Sequence, residues 1–433
     1  MKSLIVVAGL ILAPALVRGE DQPASFNPQA LKAILDRWEA EKTPTTAGAD
    51  KVVAELQELG RPAIKSMIEA LEKAQKPRSA GVLITTLVRL KASEATLTLA
   101  KLATAGPTPN LRRSAMGALV GIGTHEAMPI LIQALDRELP SELAAKEKYL
   151  ERDEWYKLRD KLIDTIKAMC ASPVHCNAAV QAIFTLSPKA TPAARARYAR
   201  SLSGVRLAAA EDTLVSMAYD SAAEVQTAAV HALGMGKSPT IGKRILPLAG
   251  NNNAKVKVAV CFALGNSKYL PAMPTLIRLL ASKEKDVPET ALWALRNISG
   301  LQFEDPQRWQ AWYDEETANS QKRLAELLQQ IKTGPAELVP VAVEQIGALV
   351  LVRDKVVDEL RFLLDHKDPR ARAALCNVLA QSGDPRAEPL LLQKLSDRAE
   401  VVNHAAWRGL RFVTNKNLPL DVNTWAEHLA KKG

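Results

Sequence analysis

The sequence predicts an all-α fold, an α-solenoid of about ten helix pairs wound into a curved superhelix. Three observations lead there. One phrase recurs at a fixed interval: AAVHALGMG at 228–236, AVCFALGNS at 259–267 and TALWALRNI at 290–298. Each copy is anchored by a leucine (Leu233, Leu264, Leu295), and the anchors continue back to Leu202 and on to Leu349, Leu379 and Leu410 at steps of 30 or 31 where adjacent. Composition agrees: only 4% of residues are aromatic, 47% are hydrophobic, and Ala and Leu are spread throughout. A fixed period of this size marks stacked supersecondary units, each burying its apolar face only against its neighbours.

The N-terminal stretch MKSLIVVAGLILAPALVRG carries one lysine, then a mostly apolar run broken by Pro14, then Gly19. A run of about 15 apolar residues is short for a membrane span, which needs roughly 20. It predicts a signal peptide over 1–19 and an exported protein, periplasmic or extracellular. No cysteine follows the run to take a lipid anchor, and no second apolar run reaches spanning length.

Residues 28–40 place Leu31, Ile34, Leu35 and Trp38 at helical spacing and predict an entry helix, followed by a linker over 42–50. Helix pairs then run through 52–74, 78–90, 94–103 and 110–123, with Leu87 and Leu119 as anchors. Between 136 and 176 the spacing stretches around a charged segment, which predicts a helical insertion with one long helix over about 142–170. A second departure, 301–316, has a counterpart at the C-terminus. LRNISGLQFEDPQRW (295–309) and LRFVTNKNLPLDVNTW (410–425) both end on an Asp followed four residues later by Trp. Asp305 and Asp421 are placed to cap short closing helices, the second over 421–431. Two closures predict two blocks, 26–316 and 320–433.

The quoted phrases resemble HEAT repeats. The signature is carried by LPAMPTLIRLL (270–280), VKVAVCFALG (256–265) and DPRARAALCNVLAQSGDPRAEPLLLQKL (368–395). The resemblance extends over about 50–412. It implies antiparallel helix pairs of the armadillo-like kind, and it implies no particular activity, since such arrays serve unrelated partners.

Motifs for chemistry are scarce. The six histidines include no pair at metal-ligand spacing, and neither a nucleophile elbow nor a Gly-rich phosphate loop occurs. A non-catalytic chain with no cofactor and no metal is therefore expected. The alternatives are a lyase-like or cofactor-attachment activity assembled across repeats, and a basic nucleic-acid groove. Cys261 and Cys376 share one repeat slot and read as packing residues, whereas Cys170 and Cys176, in CASPVHC, read as a short-loop disulfide. Asp220, Asn251, Ser282 and Asp397 each stand five residues before a Val and read as turn or cap residues, not ligands.

The formal charge is +10, and residues 187–300 hold 15 Lys/Arg against 7 Asp/Glu, a local +8. Taken alone, such an excess is consistent with an ordinary solvated surface; it also suits an acidic partner. With the anchor leucine as zero and 100° per residue, positions −2, −6 and −9 of each second helix face away from the core. The −2 row reads Gly117, Arg200, His231, Phe262, Trp293, Asn377, Arg408. Phe262 and Trp293 stand there side by side, flanked by Arg200, Lys255 and Lys257. Either the closing segment with Trp309 and Trp312 covers Trp293, or this row is an aromatic strip for a protein partner. The expected function is a scaffold that binds such a partner through its concave face.

Overall fold

The computed structural model describes residues 26–430 apart from 74–76 and 415, so the expected signal peptide and the last three residues, with the end of the closing helix expected over 421–431, lie outside the described residues. Among the described residues are 23 α-helices, eleven short 3-10 helices and no strand. No described helix is long and apolar enough to cross a membrane. The chain forms two compact units, one up to Leu131 together with Pro140–Thr165, the other Ile132–Leu139 together with Ile166 onward.

In the first unit the helices Pro28–Ala40, Thr46–Glu58, Ile64–Lys73, Pro77–Arg89, Thr96–Ala105 and Pro109–Ile122 follow one another. The expected linker over 42–50 is shorter than its composition suggested. Thr45 accepts a hydrogen bond from the Gly48 backbone N–H at 3.0 Å, so the next helix starts at Thr46. In the charged insertion, two 3-10 turns precede a helix that begins only at Tyr149 and runs to Met169.

The second unit holds the most regular repeats. Its second helices include Pro192–Ser201, Ala223–Gly236, Ala254–Asn266, Val287–Ser299, Pro369–Ser382 and Glu400–Thr414. The anchor leucines are all interior, none more than 4% exposed. Each contributes on the order of 1.5–3 kcal/mol by leaving water. Around them sit alanines (Ala229, Ala232, Ala259, Ala263, Ala291, Ala294), whose small side chains let successive helices approach closely.

A polar spine accompanies this apolar one. Seven residues before the anchor, four of the second helices send a side chain to the turn of the next repeat. Arg195 donates to both Asp220 carboxylate oxygens at 2.8 Å, and Arg372 donates to those of Asp397 at 2.8 and 2.6 Å. In the repeats between, Gln226 accepts from Asn251 at 3.0 Å and Lys257 pairs with Glu284 at 2.7 Å. The four turn residues also accept from the backbone N–H two residues on, as their positions suggested.

The two closing tryptophans are built alike. Trp309 and Trp425 are fully buried, and each donates its indole N–H to a carbonyl six residues earlier, Phe303 and Pro419. Asp305 and Asp421 cap the helices that carry them. The first of these helices does not stop at 316: Pro306–Thr333 is continuous, with Glu316, Ser320, Leu324 and Ile331 buried along it. The boundary expected at 316–320 thus falls inside one helix of the second unit.

Candidate partner-binding face

The curvature of the second unit shows which side its second helices present. The Lys268 ammonium lies 5.2 Å from the centre of the Phe412 ring, although 144 residues separate them. Arg353 donates to the Ser299 carbonyl, 54 residues before it, at 3.0 Å. Side chains at the C-terminal ends of these helices thus meet over long sequence intervals, as expected where second helices line the inner side of a curved array.

On that face three rings stack in register. His231 and Phe262 have centroids 4.9 Å apart and planes within 5°, and Phe262 and Trp293 follow at 5.6 Å and 16°. The rings come from the same slot of three consecutive helices, and glycines make room for them. A methyl group on Gly234 would stand 3.0 Å from the Phe262 ring and 2.9 Å from the Ala263 Cα. One on Gly265 would stand 2.6 Å from the Trp293 indole. Glycine at the position after the anchor therefore seats the ring of the following repeat.

Phe262 is half-buried between its neighbours, while His231 and Trp293 are exposed at the two ends of the stack. Trp293 retains 40% of its surface. The closing segment does not cover it: Trp309 and Trp312 pack edge-on against each other and against Phe303. Trp309, Trp407 and Trp425 each give their indole N–H to a backbone carbonyl, whereas among the described residues that of Trp293 has no partner.

Beyond His231 the stack opens into a depression of about 590 Å³ lined by Arg200, Glu224, Thr227, His231, Asn253 and Lys255, among others. Arg200 and Lys255 form no ion pair among the described residues. Loss of water, then the nearby Arg200 charge, hold the His231 pKa below its ordinary value, which keeps the imidazole neutral near pH 7. The arrangement is a flat apolar strip ending in two unpaired cations.

The structure thus brings Arg200, His231, Phe262, Trp293 and Lys255 together. Lys257 departs from its expected place on this face. Its side chain is only 17% exposed, and its ammonium is committed to Glu284, as part of the polar spine. Cys170 and Cys176 also differ from expectation: both are thiols in the structure, buried and hydrogen-bonded to each other. Cys176 lies in the first turn of the helix Pro173–Leu186, where the partner thiol lowers its pKa. Cys261 and Cys376 are core thiols, as their slot implied, and burial pushes each up to about 12.

Two features escaped the sequence reading. The seating glycines carry a readable signal, since Gly234 and Gly265 each precede a ring by 28 residues. The spine residues carry one too, Arg195, Gln226, Lys257 and Arg372 sharing one slot.

Three stretches match models of repeat families. Residues 324–411 match HEAT repeats, 270–300 the armadillo/beta-catenin-like repeat, and 111–137 the PBS lyase HEAT-like repeat. No curated protein matches the chain. Among solved structures that match is an engineered protein, 18% identical over 91% of this chain and 97% of that one, with a TM-score of 0.28. The chain is an all-α solenoid in which HEAT- and armadillo-type repeats recur.

Proposed function

We propose that this protein is an exported, non-catalytic scaffold that captures an acidic protein partner on the inner face of its second unit. The observation that carries this reading is the exposed stack of His231, Phe262 and Trp293 running up to Arg200 and Lys255. An apolar strip with a cationic end suits an extended segment that offers apolar side chains and a carboxylate. Fully buried aromatic and Arg contacts of this kind dominate binding energy at interfaces. The repeat families found here supply the frame for such a face. Export rests on the N-terminal run, and the mature chain would begin after Gly19.

A nucleic-acid groove is less well supported. The rings already stack on one another at about 5 Å, which leaves no gap for a base to enter between them, and base stacking is what such grooves use. The lyase-type match spans 111–137, which includes no residue of the stack, and concerns a repeat rather than a set of reacting groups.

The test is the double variant Phe262→Ala/Trp293→Ala. Both partner capture from an envelope extract and thermal melting are measured on it. Capture should fall at least tenfold while melting moves little, since neither ring is fully buried. A large melting loss would make the rings packing elements, and unchanged capture with unchanged melting would place the partner elsewhere. Wild-type capture should weaken as salt rises, through Arg200 and Lys255.

A further inference from the structure

The −2 row continues beyond the ring stack. Counted from the anchors Leu379 and Leu410, the −2 slots are Asn377 and Arg408, and the +2 slots are Gln381 and Phe412. Four residues apart, the two slots of a helix share one face, one turn above the other. The helices Pro369–Ser382 and Glu400–Thr414 therefore set these four side chains together, and all four line one depression of about 420 Å³. A second depression, of about 310 Å³, shares Arg408 and Phe412 with it.

Phe412 belongs to both depressions and is 59% exposed. The Lys268 ammonium lies 5.2 Å from its ring centre. Arg411, Lys416 and Asn417 complete the second depression, so three of its five side chains are cations and none is a carboxylate. The Arg411 guanidinium lies 4.6 Å over the Trp407 ring, which fixes its direction. Among the described residues, Arg408, Arg411, Lys416 and Lys268 form no ion pair. The side-chain amides of Asn377 and Gln381 have no hydrogen-bond partner among them either.

We infer that this patch is a docking surface for an acidic peptide segment, which lays an apolar side chain against Phe412 and its carboxylates on Arg408, Arg411 and Lys416. Charge sets the sign of the occupant, because the second depression offers cations with no carboxylate to answer them. The first depression sets its class. Asn377 and Gln381 can each donate to and accept from a peptide backbone. Glu344, also in that lining, repels a chain charged at every unit, as nucleic acid is. None of these residues belongs to the ring stack, so the partner reading of the stack can fail while this surface stands.

A fluorescein-labelled peptide of alternating Glu and Leu tests the surface on the full chain by anisotropy, with a Lys/Leu peptide of equal length as control. The parent should bind the acidic peptide more tightly than the control, and less tightly as salt rises. Phe412→Ala/Arg408→Gln/Lys416→Gln should weaken that binding at least tenfold at an unchanged Tm. If loss of the ring lowers the Tm, Arg408→Gln/Lys416→Gln alone, which replaces only exposed side chains, should still weaken it at least threefold. Phe262→Ala/Trp293→Ala, measured in parallel, reports on the stack separately. No binding by the parent, or a loss confined to that stack variant, overturns the assignment to this patch. A single-stranded oligonucleotide that binds more tightly than the acidic peptide, and is lost with Arg408→Gln/Lys416→Gln, overturns the peptide class.

Discussion

Replacing Gly265 by alanine tests the seating of the ring stack most directly. The new methyl would lie 2.6 Å from Trp293 Cζ3, 3.1 Å from Ala294 Cβ and 2.9 Å from Ala294 Cα. The indole could swing aside, but the Ala294 Cα is backbone of the neighbouring helix. Relief therefore requires those two helices to part by several tenths of an ångström, along a contact lined with alanines. Overpacking of this kind costs typically 1–3 kcal/mol. Alanine recovers about 0.4–1 kcal/mol through the less flexible unfolded chain, which leaves a net loss of roughly 1–2 kcal/mol. Gly236 supplies the control, because it ends the helix Ala223–Gly236 and a methyl there meets nothing within 4 Å. Gly236→Ala should therefore be neutral or stabilising by up to about 1 kcal/mol. Urea unfolding followed by tryptophan fluorescence reads both, and a changed native emission should accompany Gly265→Ala alone, as Trp293 leaves Phe262. If Gly265→Ala proves as stable as Gly236→Ala, the helices are looser than the seating argument requires, and the argument fails.

Three further outcomes follow from the spine and the cysteines. Arg372→Ala removes the main partner of the Asp397 carboxylate, leaving it the Lys394 ammonium at 3.6 Å and the Ala399 N–H, and should cost about 2–3 kcal/mol in urea unfolding, since the pair is 5% and 6% exposed; a loss below about 1 kcal/mol would make the spine ornamental. Arg195 and Arg372 hold Asp220 and Asp397 below the usual carboxylate pKa, so each carboxylate's contribution is complete above its unfolded value near 4 and is lost as pH falls through the lower folded value. Acid unfolding between about pH 4 and pH 2 should accordingly be steeper in the parent than in Arg372→Ala, and parallel curves would refute the linkage. Oxidised glutathione should convert Cys170 and Cys176 into one bridge, each thiol giving up a proton and the reagent leaving as two reduced thiols. Peptide mapping should then find Cys261 and Cys376 still reduced; oxidation of either core thiol first would show that the lowered Cys176 pKa does not govern reactivity.

Much of the fold was legible because a repeat states its rules several times. The leucine period located every anchor, and rotation by 100° per residue placed the −2 row away from the core, where Arg200, His231 and Trp293 indeed lie exposed. The matched Asp and Trp of 305–309 and 421–425 announced two buried tryptophans. What was hidden depended on contacts between repeats. Lys257 and Lys255 differ in sequence only by the repeat slot, and it is the position of Glu284 that commits the first. The continuous helix through 316–320 was obscured because a closing Trp reads the same whether its helix stops or runs on. The meeting of Lys268 with Phe412 depends on accumulated curvature, which no single repeat encodes.

The second unit also shows how this chain treats a tryptophan whose task is stability. Trp309 and Trp425 are fully buried, edge-packed or helix-covered, with the indole N–H given to a carbonyl. Trp293 meets neither condition, and yet the chain maintains a glycine one repeat back to hold it flat against Phe262. The close approach of the Ala294 backbone is one reason for that glycine and the ring is a second, since alanine occupies the equivalent slot at Ala380, where the following repeat carries Arg408 and no ring. In the helix that carries Trp293 the slot is Arg296, which donates to the Phe303 carbonyl, and the stack ends there. A glycine in two successive helices weakens both, by about 0.5–1 kcal/mol each. The burial gained at Trp293 offsets that cost only in part, since the indole keeps 40% of its surface and an N–H with no partner among the described residues. The proposed partner-binding role accounts for this exposure: the stack would be a surface for a segment outside the chain to cover.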